Sequence, residues 1–164
     1  IDEMMDKALL WTDDYMRLYV PQNTPNRTDV RNEIFIFNAW SAWHYCLQHN
    51  LFQVKDDTAV STFVASLLVH SSLGDTLGLF YFYDLIQARY AMYSEDVQKL
   101  ANLEHPDIKY FPIGLYCAIY RNQYELNPKA DIDENEIINE MQRFTSNFIT
   151  HWNTIQHDMD VDWK

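Results

Sequence analysis

Apolar residues return at helical spacing in one stretch of this chain after another. Over residues 2–20, Met5, Ala8, Leu9, Thr12, Tyr15, Met16 and Tyr19 fall on one stripe, with Asp6, Lys7, Asp13, Asp14 and Arg17 outside it, which predicts an amphipathic first helix. Pro21 and Pro25, with Asn23 and Asn26 between them, break the chain. A second helix is predicted from a cap at Thr28 or Asp29 to about His49; Ile34, Phe35, Ile36, Phe37, Ala39, Trp40, Ala42, Trp43, Cys46 and Leu47 wrap most of its circumference. Asp56-Asp57-Thr58 opens a third, with Val60, Phe63, Val64, Leu67 and Leu68 facing inward.

Residues 77–93, LGLFYFYDLIQARYAMY, are interrupted only by Asp84, Gln87 and Arg89, and a helix apolar nearly all round belongs in the middle of a bundle. Ser94-Glu95-Asp96 reads as a bend and a fresh cap before a short segment ending near Leu103. After a turn at Pro106, a fifth helix is predicted over about 110–125, with Pro112 in its first turn. Asn127-Pro128 closes it. Asp131 and Glu134 have capping-box spacing and open a sixth helix with the stripe Ile137, Met141, Phe144, Phe148, Trp152 and Ile155, after which the acidic tail from His157 is expected to fray. The expected fold is all-α, a compact single domain over residues 1–164 with about six helices around a buried central helix, 77–93. Three helices this apolar exceed what such a monomer easily hides, so part of the second, fourth or fifth is expected to be covered by a second subunit or a ligand.

Composition supports the helical reading. Hydrophobic residues make up 48% and aromatics 15% of the chain, with only 3 Gly and 5 Pro, which excludes disorder and disfavours a β fold rich in tight turns. The net charge of -12 repels phosphate backbones and argues against nucleic acid as a partner. The acids gather at the two ends, Asp2, Glu3, Asp6, Asp13 and Asp14 early, then Asp131, Asp133, Glu134, Glu136, Glu140, Asp158, Asp160 and Asp162 late. If the termini pack side by side these make one negative face, either a solvated surface or a landing site for a basic protein.

Residues 34–54 and 58–74 contain no Asp, Glu, Lys or Arg, but polar residues interrupt both: Asn38, Ser41, His44, Gln48, His49, Asn50 and Gln53 in the first, Ser61, Thr62, Ser66 and His70 among others in the second. Neither supplies the ~20 predominantly apolar residues that a membrane span needs. Cys46 and Cys117 lie in apolar helical runs without a CxxC motif and are expected to be reduced core thiols. No signal-peptide pattern is visible, and the expected compartment is the cytoplasm. Asn26-Arg27-Thr28 matches the short glycosylation pattern.

Candidate chemistry is sparse. Asp84 and Arg89, five residues apart, lie on different faces of their helix and cannot pair along it. Either they line a pocket between the second and fourth helices with Tyr81, Tyr90, Trp40 and His44, or each has a structural partner. Glu33 and His44 share a helix face, and with His70, and Asp75 or His151, they form the best available metal set, although no HExxH or paired Glu-x-x-His spacing is present and no cofactor is expected. Ser41 precedes His44 by three residues and Cys46 lies near His49, but no nucleophile elbow or phosphate-binding glycine loop accompanies them. Tyr81, Tyr83, Tyr90, Tyr93, Tyr110, Tyr116, Tyr120 and Tyr124 suit the rim of a pocket or interface, or the edge of the core. The primary expectation is a non-enzymatic, acidic helical module that binds another protein, possibly a basic one, as an inhibitor, immunity-type or adaptor protein, with a homodimer as a further possibility. The alternative is a ligand- or metal-binding bundle, possibly an enzyme, with its pocket between the second and fourth helices.

Overall fold

The computed structural model describes residues 1–24, 27–51, 57–71, 79–101 and 134–163. The described residues form five helices and no strand: α1 (Asp2–Tyr19), α2 (Arg27–Gln48), α3 (Asp57–His70), α4 (Leu79–Ala101) and α5 (Glu134–Trp163). The expected helix over 110–125, the acceptor Asn26, Asp75, Cys117 and the tyrosines from Tyr110 onward lie outside the described residues, as does the side chain of Tyr81.

α1 starts with Asp2 and Glu3 in its first turn, where carboxylates complement the positive end of the helix. It stops where Val20 turns extended before Pro21. α2 ends at Gln48, and two residues on Asn50 has a left-handed φ of 52°. The Leu51 amide then reaches back to the Cys46 carbonyl at 2.9 Å, closing the helix end in the way that an asparagine tolerates better than most residues.

α1 and α2 form an antiparallel hairpin, as Asn38 against Thr12 and Arg31 against Asp13 define. Ala8 of α1 and Ala42 of α2 are both fully buried. α5 runs antiparallel to α1, with Trp163 at Glu3, Asp158 at Trp11 and His151 at Tyr15. α4 covers another side of α2 through Arg89 on Glu33 and Tyr93 on Phe37, and α3 approaches through Phe63 on Trp43.

Among the described residues the most deeply buried element is therefore α2, more so than the part of 77–93 that lies in α4. Every side chain of α2 from Asn32 to Trp43 is buried, so its apolar circumference is covered by the chain itself. α4 buries Ile86 and Tyr93, a two-turn repeat, but exposes Asp84, Gln87, Ala88, Ala91, Ser94 and Glu95 along its other side. Ser94 and Glu95 lie on that exposed side, so they start no new helix: α4 continues unbroken to Ala101, and a polar residue there costs only tenths of a kcal/mol (roughly 0.5) in propensity. The end of α5 is likewise helical to Trp163 instead of frayed, because Ile155 and Met159 are fully buried and carry the stripe onward. The α5 stripe is rotated from the expected one, with His151 buried and Trp152 only half-buried. Among the described residues no helix is long and apolar enough to cross a membrane.

Candidate functional site

The residues singled out between the second and fourth helices come together in part. Arg89 donates from Nε and Nη2 to the two Glu33 oxygens at 3.0 and 2.9 Å, a bidentate pair in which the Glu33 side chain is 6% exposed. Burial alone would lower the Arg89 pKa, but the bonds to Glu33 outweigh it and hold the guanidinium charged. Below this pair Trp40 is buried, its ring stacked on His44 at 4.8 Å between centroids and 6.4 Å from that of Tyr90. Burial lowers the His44 pKa and keeps the imidazole neutral near pH 7. Tyr90 packs on Phe63 and Tyr93, and its buried hydroxyl has no hydrogen-bond partner among the described residues.

Asp84 is exposed and not part of this cluster. The metal set does not assemble: Glu33 is held by Arg89, His44 by Trp40, and His70 is exposed with its Nδ1–H donating to the Ser66 carbonyl at 2.8 Å. No group of three His, Cys, Asp or Glu side chains is arranged for a metal among the described residues. Ser41 is no nucleophile for His44, since its hydroxyl donates to the Phe37 carbonyl one turn back at 2.9 Å. Of the tyrosines whose side chains are described, Tyr83 is exposed, Tyr90 half-buried and Tyr93 buried, so these three do not line one rim.

A second polar feature lies in the core between α1, α2 and α5. His151 donates its Nε2–H to Asn38 Oδ1 at 2.7 Å, Asn38 Nδ2–H donates to Thr12 Oγ1 at 3.0 Å, and the Thr12 hydroxyl donates to the Ala8 carbonyl at 2.6 Å. Because the last acceptor is a carbonyl, each earlier donor is fixed in turn, and His151 must carry its proton on Nε2. Burial lowers its pKa to about 4. Every member has its partner, which marks the chain as architecture.

A further feature is at the end of the bundle where the α1 N-terminus meets the end of α5. Three aspartates of α5 each accept from a different residue: Asp158 from the Trp11 indole at 3.0 Å, Asp160 from the Tyr45 hydroxyl at 2.6 Å, and Asp162 from the Lys7 ammonium. Burial and the bond to Asp160 push the Tyr45 phenol up to about 12. From the other side, Trp163 Nε1–H donates to Glu3 at 2.7 Å, and Lys7 lies over the Trp163 ring at 5.4 Å. Beside this clasp is an open hollow of about 510 Å³. Ile1, Met4, Cys46, Leu51 and Trp163 line it, with Glu3 and Asp162 as its charged members. Cys46 is a buried free thiol, and burial pushes its pKa up, so its sulfur is a wall and not a nucleophile.

Of the hollow's residues the sequence singles out Glu3 and Asp162 only as members of an acidic face and Cys46 only as a core thiol near His49; the hollow itself was not foreseen. The available signal was the apolar spacing Ile155, Met159, Trp163, which continues the helix past His157 and carries the late acids to the early ones. Compared with protein-family models, with curated proteins and with solved structures, the chain finds no match.

Proposed function

We propose that this chain is a non-enzymatic helical module that binds a basic protein through the acidic surface where the start of α1 lies beside the end of α5. One observation carries this reading. Asp2, Glu3, Asp6, Asp158, Asp160 and Asp162, from opposite ends of the sequence, share one end of the bundle, and Lys7 is the sole Lys or Arg in the first half of α1 and the last two turns of α5. The three late aspartates also stand at the negative end of α5, where the helix dipole disfavours them and an external cation would relieve the repulsion. A surface of one sign speeds encounter with a partner of the other and rejects like-charged ones. Like charge also opposes self-association here, so a homodimer would use a different face.

The test is affinity capture with the wild type and with Asp2→Lys/Asp6→Lys, two exposed residues outside the clasp. The expected outcome is a basic protein retained by the wild type, displaced by added salt and lost from the variant. Retention of the same proteins by both would sink the acidic surface as the binding face.

A second reading, a small-ligand bundle with its site between α2 and α4, draws support from the buried Tyr90 hydroxyl, which has no partner among the described residues beside Trp40 and Phe63. On that reading His44→Ala abolishes binding of a co-purifying small molecule without unfolding the chain.

A further inference from the structure

We infer that the hollow at the α1–α5 end is the anchoring subsite of this surface, and that it takes a segment in which a lysine or arginine neighbours an aliphatic side chain. This rests on the partner-binding reading above and states what the partner presents. The hollow combines two chemistries. Its lining from Ile1, Met4, Cys46, Leu51 and Trp163 is apolar, and Leu51 is 45% exposed, so an aliphatic side chain entering there removes apolar surface on both sides from water. Glu3 and Asp162 are held ready for a cation: each has one oxygen engaged by an internal donor, Trp163 for Glu3 and Lys7 for Asp162, and its other oxygen has no bond among the described residues. A carboxylate whose position is already fixed gives up less side-chain entropy when an external ammonium or guanidinium arrives.

The chain itself shows the chemistry that this place accepts. Lys7 lies with its ammonium on Asp162 and over the Trp163 ring, a cation held by a carboxylate and an aromatic face at the edge of the hollow. Asp2, Asp6, Asp158 and Asp160 outnumber it, so the end stays negative with Lys7 in place. An anionic ligand is repelled, and a purely polar cation leaves the apolar lining unused. A basic segment with an aliphatic residue satisfies both.

The test is a ¹H–¹⁵N NMR titration of the full chain with three capped peptides: Lys-Leu-Lys-Leu-Lys, pentalysine and Glu-Leu-Glu-Leu-Glu. The expected result is saturable shifts at the Cys46 and Leu51 amides and the Trp163 indole with the first peptide only. Glu3→Gln/Asp162→Asn, which keeps an acceptor for Trp163 and Lys7, weakens that binding about tenfold. If pentalysine binds as tightly and moves only Asp2, Asp6 and their neighbours, the hollow is not a subsite, while the acidic surface survives. Equal binding of the glutamate peptide removes the cation requirement and overturns the inference. No response to any peptide overturns the inference together with the basic-partner reading.

Discussion

His151 donates to the side-chain carbonyl of Asn38 at 2.7 Å across 113 residues of sequence, and so fixes α5 against the α1–α2 hairpin at one register. Polar groups this deep are costly when one partner is removed, because the survivor keeps its desolvation penalty. Asn38→Ala is expected to lower the unfolding free energy by about 2–4 kcal/mol, combining a small cavity with an orphaned imidazole N–H. Urea unfolding followed by circular dichroism measures this; a loss below about 0.5 kcal/mol would mean that the pair is not formed in solution.

The same histidine predicts a pH profile. Its pKa is lowered from 6.5 to about 4 by burial, so between those values the unfolded chain binds more protons than the folded one. Stability from this group is complete above about pH 6.5 and is lost as pH falls toward 4, a total on the order of 3 kcal/mol. His44, also lowered by burial, acts in the same direction but is half exposed and adds less. His151→Gln should flatten the stability profile between pH 7.5 and 5; an unchanged slope in that variant would assign the acid sensitivity elsewhere.

Breaking the Glu33–Arg89 pair one side at a time should be worse than removing it whole. Arg89→Met leaves a buried carboxylate and is expected to cost about 2–4 kcal/mol, whereas Glu33→Gln/Arg89→Met recovers part of that loss. Thermal unfolding of the two single variants and the double variant gives the coupling. Additive losses would show that the two side chains do not interact.

Tyr90 separates the two functional readings by stability alone. Its buried hydroxyl has no partner among the described residues, so Tyr90→Phe should leave stability unchanged or raise it by up to about 1 kcal/mol. A clear loss in the purified protein would mean that something bonds this hydroxyl, as the ligand reading requires.

The docked end of α5 is testable by hydrogen exchange. With Met159 fully buried and Asp158, Asp160 and Asp162 each holding a partner, amides of residues 158–162 should be protected nearly as well as those around Phe148. Exchange there at free-peptide rates would restore the frayed tail.

The helical pattern made α1, α2 and α3 legible, because each carries its apolar positions at one period, and in α5 it found Phe148 and Ile155 but not His151 or Met159. Which described helix is most deeply buried was not legible, since the neighbours of a helix are set by how the chain returns to it. Asp84, Gln87, Ala88, Ala91, Ser94 and Glu95 do repeat as an exposed face of α4, but the two alanines read as apolar and hid it. Arg89 was recognised as needing its own partner, yet Glu33 stood out only as a metal candidate, because a contact 56 residues away leaves no trace in local spacing. The hollow was hidden for the same reason: it exists only where residues from both ends of the sequence and the end of α2 meet.

The most direct measurement of the central claim is native mass spectrometry of the full chain, alone and with an equimolar lysine–leucine peptide, for the wild type and Asp2→Lys/Asp6→Lys. The expected result is a bare wild-type chain, a one-to-one adduct when the peptide is added, and loss of that adduct in the variant. A small molecule or metal carried by the wild-type chain and released on denaturation, with no peptide adduct, would contradict it and move the site to the Trp40, His44 and Tyr90 cluster between α2 and α4.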